Sequence, residues 1–338
     1  MENKTITLQQ LLNNISDSDR NLLQDIMLRQ LPEESRRDYE AIVRGEKLPS
    51  FMSDIVAKKL FDADEHKDRL QYLFREVSGD DTIVIDSSFR NEGYIQSALS
   101  KKVIFDMTSR FHDGRSGVAE FQVAPLEFTF ERIEIYGSNL LMLQYSVNPS
   151  EKKSELSYDT VKGVLLLYLM KVSPKKFKDF ETDHYIHRFK EYTADSGLTY
   201  LPLVQKVFVQ LDKCLEQFLE GEDGENNQQL QLLLSLLADS DNSNILDAAQ
   251  KCTMLKDMIE EARMFVQRKE VQMNLLEEKF YEADLNAAKA YVRKEAREEG
   301  REEERSKNLQ TAITNIMKKN HVTREEAEKQ AKDILGWD

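Results

Sequence analysis

The chain reads as an α/β protein, with a mixed central sheet flanked by helices and with helical extensions at both ends. Three observations predict this class. Residues 164–170 are Val-Leu-Leu-Leu-Tyr-Leu-Met, a continuous apolar run of strand length, and such runs are typical of strands buried on both faces. Val103 to Val123 holds two β-rich segments about the turn signal His112-Asp113-Gly114-Arg115, which predicts a hairpin. Apolar residues at three- and four-residue spacing flank these segments and predict amphipathic helices. Strands mixed with helices indicate an α/β core rather than a bundle.

Leu8 to Leu31 has helical spacing interrupted by Ser16-Asp17-Ser18-Asp19, which predicts two short helices. Pro32 and the stretch from Gly45 to Pro49 punctuate the next segment and place a boundary near Pro49. Ser53 stands where it would cap a helix carrying Ile55, Val56, Leu60 and Phe61. A second helix is expected from Glu65 to Val77, ended by Gly79. Thr82 to Asp86 and Val103 to Met107 read as strands, and Val118 to Val123 as a third that Pro125 stops. Phe130 to Val147 has helical spacing, with Ile133, Gly137, Leu140, Leu141 and Gln144 on one side. Tyr185 to Tyr192 and Val204 to Leu211 read as further strands.

After about Gly221 the pattern turns helical: Leu230 to Leu237, Ile245 to Val266, and a long charged helix from Lys269 to Asn308. Two short helices are expected between Leu309 and Trp337, the last opened by the capping box Thr323-Arg324-Glu325-Glu326. These shifts divide the chain into a helical extension (1–49), an α/β domain (50–220), a helical segment packed on it (221–268), the charged helix (269–308) and a small helical hairpin (309–338). The charged helix offers a surface for self-association, with a solvated arm as the plainer reading.

The 338 residues carry 47 Lys and Arg against 61 Asp and Glu, a net charge of −14. Taken alone this argues against nucleic acid, since phosphate binding rewards positive charge. The middle of the chain differs: from Lys101 to Lys190 there are 14 basic and 12 acidic residues, which leaves room for a phosphate-binding surface. Cys214 and Cys252 stand far apart and outside any CxxC pattern, as ordinary thiols of a reducing compartment do. The N-terminal residues hold no apolar signal core, and the longest apolar run is too short to cross a bilayer. A soluble cytoplasmic protein without membrane contact is expected.

The hairpin carries the chemistry. Side chains alternate along a strand, so Glu120 and Gln122 share one face. A short loop centred on Asp113-Gly114, with Gly114 at a position of positive φ, pairs residues whose numbers sum to about 226. That register sets Asp106 opposite Glu120 on the same face, and a one-residue slip would undo it. Two carboxylates this close repel unless a cation neutralises them, and Mg²⁺ favours such oxygen ligands. Spacing alone leaves a second reading open, of two solvent-facing acids beside a turn.

Phe51 to about Gln217 resembles the PD-(D/E)xK nuclease family transposases, also called the recombination-promoting nuclease family. Five blocks carry the resemblance in order: Phe51-Met52-Ser53-Asp54 through Lys59-Leu60-Phe61, Val103-Ile104-Phe105-Asp106, Glu120-Phe121-Gln122, Arg132 and Tyr136 followed by Leu140 and Gln144, and Val207 to Lys213. The resemblance implies a restriction-endonuclease-like fold and a Mg²⁺-dependent DNA endonuclease, with Mn²⁺ as a substitute cation. Asp106 and Glu120 would ligate the metal, and Gln122 would stand where a Lys normally orients the attacking water. Asp54 would help hold a second metal or a water. Arg132 and Tyr136, one helical turn apart, would contact the scissile phosphate or brace the carboxylates.

The chain departs from the family pattern at Gln122, at Gln210-Leu211 where Glu-Leu is usual, and at Ile135-Tyr136-Gly137, which lacks a second Tyr. The alternative is a catalytically inactive protein of the same fold, binding nucleic acid or another protein. Lys175-Lys176-Phe177-Lys178 could touch a DNA backbone or be a solvated loop. His184 and His187 read as surface histidines, since strand alternation sets them on opposite faces. No Gly-rich phosphate loop or Gly-x-Ser-x-Gly element supports an NTPase or an esterase.

Overall fold

The apolar run at 164–170 becomes β4 (Val164–Met170), every residue of it buried, at the middle of a six-stranded sheet of order β1-β2-β3-β4-β8-β5. The computed structural model describes residues 17–89, 107–124, 129–145, 161–193, 195–200, 202–221, 228–320 and 323–335. β1 (Ile85–Phe89), β2 (Met107–Phe111) and β3 (Ser116–Gln122) are antiparallel neighbours. β3, β4 and β8 (Val204–Gln210) run parallel, and β5 (Ile186–Arg188) closes the far edge antiparallel to β8. Central strands covered on both faces account for the unbroken apolar run.

The hairpin register is the one that the turn residues predict. Met107 pairs Ala119, Thr108 pairs Val118 and Ser109 pairs Gly117. Gly114 has a φ of 87°, a conformation that a Cβ disfavours. Its N–H donates to Phe111 O at 2.9 Å, and Phe111 N–H donates to Arg115 O at 2.8 Å. The expected strand 103–107 falls largely on residues outside the described ones; within them β2 continues past Met107 to Phe111.

β1 begins later than the expected 82–86. Asp80 accepts the Thr82 N–H at 3.0 Å, and Arg75 Nε donates to Ile83 O at 2.6 Å, so these backbone groups are spent on a turn. The segment 185–192 is two strands rather than one. Ile186–Arg188 pairs with β8, and β6 (Glu191–Tyr192) pairs with β7 (Thr199–Tyr200) in a separate ribbon.

α1 (Asp17–Gln30) is followed by α2 (Glu33–Val43), α3 (Asp54–Leu60) and α4 (Lys67–Ser78). Asp17, Ser18 and Asp19 belong to α1, and the first of the two helices expected between Leu8 and Leu31 falls on residues 8–16, outside the described ones. Gly79, at a φ of 73°, ends α4. α5 (Thr129–Tyr145) covers one face of the sheet: Ile133, Tyr136 and Leu140 pack with Val118, Leu166, Tyr168 and Phe208. Gly137 makes the approach close, since a Cβ there would lie 2.4 Å from Val204 Cγ1. Lys206 of β8 ion-pairs with Glu134 of α5 across the same contact. On the opposite face Phe121 meets Phe61, ring centroids 5.8 Å apart.

The single-turn α6 (Lys175–Lys178) follows β4, and α7 (Leu211–Glu220) follows β8 directly. α8 (Gln228–Ala238) is almost wholly buried. The expected helix 245–266 is divided into α9 (Ser243–Ala249) and α10 (Thr253–Phe265). Lys251 and Cys252 close on the carbonyls of Ala248 and Ala249, and Cys252 is extended, which interrupts the α-helical ladder.

α11 (Lys269–Asn320) continues well beyond Asn308, and α12 (Arg324–Leu335) follows. The hydroxyls of Thr311 and Thr314 donate to the carbonyls of Lys307 and Gln310. Ile313 packs with Ala327 and Ala331, an apolar contact that favours continuation of α11 to this point. Glu326 accepts the Thr323 N–H at 3.1 Å while its own N–H donates to Thr323 Oγ1 at 3.4 Å, the capping box read from the sequence.

By internal contacts the chain forms two units, Arg37–Leu275 and Met1–Arg36 with Leu276–Asp338. The sheet lies in the first. Among the described residues no helix is long and apolar enough to cross a membrane.

Candidate functional site

The face of the sheet under α5 collects four of the six residues singled out by the sequence. Glu120 sits on β3 with Tyr168 as its partner in β4 and is only 3% exposed. It is therefore not a solvent-facing acid beside a turn. Arg132, in the first half of α5, places Nη2 3.7 Å from Glu120 Oε2. Its guanidinium also lies over the Tyr136 ring, 5.0 Å from the centroid. Burial pushes Arg132 down, but the Tyr136 and Tyr168 oxygens and the Glu120 carboxylate more than reverse this and hold it above its ordinary value. The pair is thus a buried acid facing a half-buried cation that stays charged.

Gln122 shares the Glu120 face, as the period of two requires. Its Oε1 accepts the Tyr168 hydroxyl at 3.0 Å and its Nε2 donates to Ala124 O at 2.7 Å. Both ends of the amide are therefore engaged within the chain. Asp54 is placed elsewhere: it opens α3, half-exposed, and pairs with Lys58 Nζ at 2.6 Å. Asp106 lies outside the described residues.

Two participants were not read from the sequence. Tyr168 supplies the hydroxyl that orients Gln122, and its signal was present: it is the one hydrogen-bonding side chain in the apolar run 164–170. Thr108 lies on the same face through its pairing with Val118, and its hydroxyl is buried without a hydrogen-bond partner. Among the described residues this face offers one carboxylate, Glu120, with Arg132 beside it as a cation.

A second cluster joins α3, α4 and α10. Glu261 Oε2 accepts from Arg69 Nη1 at 2.6 Å, and Glu261 Oε1 lies 2.7 Å from His66 Nε2 and 3.3 Å from Lys59 Nζ. Lys59 also pairs with Glu65. Glu65, His66 and Glu261 have ligand atoms within 4.8 Å of one another. Lys59 and Arg69 already balance the two carboxylates, so a further cation would gain little there. The cluster is a tie between helices. Burial pushes Glu261 up, and the hydrogen bonds from Arg69 and His66 more than offset it, leaving the carboxyl below its usual range.

At the ends of β4 and β8, His187 Nε2 donates to Gln210 Oε1 at 2.8 Å, Gln210 Nε2 donates to Ser173 Oγ at 3.0 Å, and Ser173 N–H donates to Asp212 Oδ2 at 2.8 Å. Gln210 and Ser173 are buried, and the chain of bonds satisfies both. His187 is thereby a packing residue, while His184 is exposed. Compared with known proteins, the chain matches no family model, no curated protein and no solved structure.

Proposed function

We propose that this protein is a divalent-metal-dependent DNA endonuclease of the PD-(D/E)xK transposase and recombination-promoting type. The observation that carries the reading is the burial of Glu120 on the inner face of β3, in a chain whose element order there is helix, three antiparallel strands, helix, parallel strand. The antiparallel ladder, with residue numbers summing to 226 at Met107 and Ala119, supports assigning Asp106 as the partner of Glu120.

In this reading Asp106 and Glu120 hold Mg²⁺ or Mn²⁺. When bound there, a divalent cation would supply Lewis-acid neutralisation of phosphodiester charge and help to activate a water. Arg132 offers a positive charge beside Glu120 and serves the developing charge on the phosphate. Gln122 carries no charge, so its part is to hold the end of β3 through Tyr168. The weakly basic stretch from Lys101 to Lys190 provides the phosphate-binding surface.

One observation favours a second reading, a nuclease-fold protein that binds nucleic acid or protein without cutting. Gln122 replaces the cationic residue of the motif and spends both ends of its amide on the chain itself. Nicking of supercoiled plasmid with Mg²⁺ or Mn²⁺ separates the two. Wild type is expected to nick, and Asp106→Ala and Glu120→Ala to lose at least about a hundredfold in rate with unchanged circular dichroism. Equal nicking by all three assigns the activity to another site. Duplex binding without nicking in any divalent ion selects the second reading.

A further inference from the structure

Residues 171–178, at the carboxyl end of β4, hold four lysines and no acid in a chain of net charge −14. Three of the four stand on the single turn of α6, and all three are exposed. The remaining residue of that turn, Phe177, is buried. Its ring stacks on Phe130, centroids 5.3 Å apart and planes 11° from parallel, and meets Phe208 at 5.4 Å. One buried ring thus pins the turn to the core and leaves the ammonium groups in water. Little within the chain neutralises them. Lys175 has no acidic partner among the described residues. Lys176 Nζ lies over the Phe130 ring, 4.6 Å from its centroid. Lys178 Nζ approaches Asp212 Oδ2 only to 3.8 Å, and that oxygen already accepts the Ser173 N–H.

Phe180 follows α6 and is 63% exposed, with no ring contact among the described residues. A single exposed apolar side chain is ordinary; its place beside uncompensated lysines gives it meaning. Nucleic acid satisfies both features at once, with phosphates against lysines and a base against the ring. Asp179 and Glu181 are exposed on either side of Phe180, so phosphates are favoured over α6 and the ring is left for a base. Only an unpaired base offers its face in this way. An anionic membrane would also meet the lysines, but binding at its surface needs a broad apolar face.

We infer that α6 and Phe180 form a docking surface for single-stranded nucleic acid, with Lys175, Lys176 and Lys178 along the phosphates and an unpaired base stacked on Phe180. The inference rests on the nucleic-acid part of the reading above and needs no metal. It adds the form of the substrate. The surface is continuous with α5, since the Phe130–Phe177 stack ties α6 to the turn that carries Arg132.

The test is fluorescence anisotropy of a labelled oligothymidylate, with EDTA present so that neither cleavage nor metal enters. The proteins are full-length wild type, Phe180→Ala, Phe180→Trp, Lys175→Gln with Lys176→Gln, and Lys256→Gln, an exposed lysine of α10. Loss of one stack should weaken binding about tenfold in Phe180→Ala, and Phe180→Trp should bind at least as tightly as wild type. The double lysine variant should flatten the slope of log affinity against log salt by about 0.7 per lysine removed. Lys175→Gln alone reports the same effect if the double variant misfolds. Lys256→Gln should match wild type.

Oligothymidylate binding that ignores both Phe180 and the lysines overturns the surface. So does absence of binding in wild type, tighter binding of the matched duplex than of the single strand, or binding to phosphatidylserine vesicles in place of the oligonucleotide. Any of these together with Glu120-dependent plasmid nicking removes this surface and leaves the nuclease reading standing.

Discussion

Tyr168 donates its hydroxyl hydrogen to Gln122 Oε1 at 3.0 Å, joining residues 46 positions apart in the chain. The parallel register makes this bond: Tyr168 is the direct partner of Glu120, and Gln122 is the next residue on the same face. Tyr168→Phe removes the donor and leaves the amide oxygen of Gln122 half-buried and unpaired. The loss of stability is expected to be about 1 kcal/mol, read from urea denaturation. A variant as stable as wild type would show that Gln122 re-pairs without cost.

Gly137 sets the distance between α5 and the sheet. A Cβ at 137 would stand 2.4 Å from Val204 Cγ1 and 3.2 Å from Leu166 Cδ1. Gly137→Ala gains helix propensity but overpacks the interface, and overpacking costs about 1–3 kcal/mol. The variant should melt several degrees lower, and adding Val204→Ala should recover most of the loss. A melting point at or above that of wild type would mean that α5 shifts freely on the sheet.

The Glu261 tie has a defined pH signature. Its folded carboxyl lies below the ordinary glutamate value because Arg69 and His66 act against burial. A depressed folded pKa contributes stability that is present above the unfolded pKa and lost as pH falls through the folded value. Wild type should therefore lose stability as pH falls below the ordinary glutamate range, and Glu261→Gln should show a flatter profile there. Parallel profiles for the two proteins would exclude Glu261 as a source of acid sensitivity.

The two thiols should react differently. Cys214 is buried against Gln231 and Ser235, and burial pushes its thiol up to about 12. The thiolate is the reactive form, so Cys214 should resist alkylation at pH 8. Cys252 is partly exposed and should react. One equivalent of thiol is expected by a dithionitrobenzoate assay of the native protein and two after denaturation. Two equivalents in the native protein would show that α7 and α8 open readily.

Much of the sheet was legible because local rules set it. Asp113-Gly114 specified the turn, and the turn specified the pairing of Met107 with Ala119. The apolar run at 164–170 announced a doubly covered strand. Boundaries failed where side chains captured backbone groups, as Asp80 and Arg75 do at Thr82 and Ile83. They failed again where an apolar pattern ran on through a break, as at Lys251 and Cys252. The site was legible as types and spacings: Glu120 and Gln122 on one face, Arg132 and Tyr136 one turn apart. Nothing in a local pattern could foretell that Arg132 would face Glu120, or that His66 would meet Glu261 195 residues away.

The sequence by itself determined which faces exist. Period two on β3 placed Glu120 with Gln122, and the spacing of α5 placed Ile133, Tyr136 and Leu140 together. Only the tertiary structure decided what those faces meet. Seating α5 across β3, β4 and β8 buried Glu120, supplied Arg132 as its counter-charge and gave Gln122 the hydroxyl of Tyr168. The reason is physical: periodicity encodes the direction of a side chain relative to its own backbone, whereas burial and charge pairing depend on which distant element is packed above it.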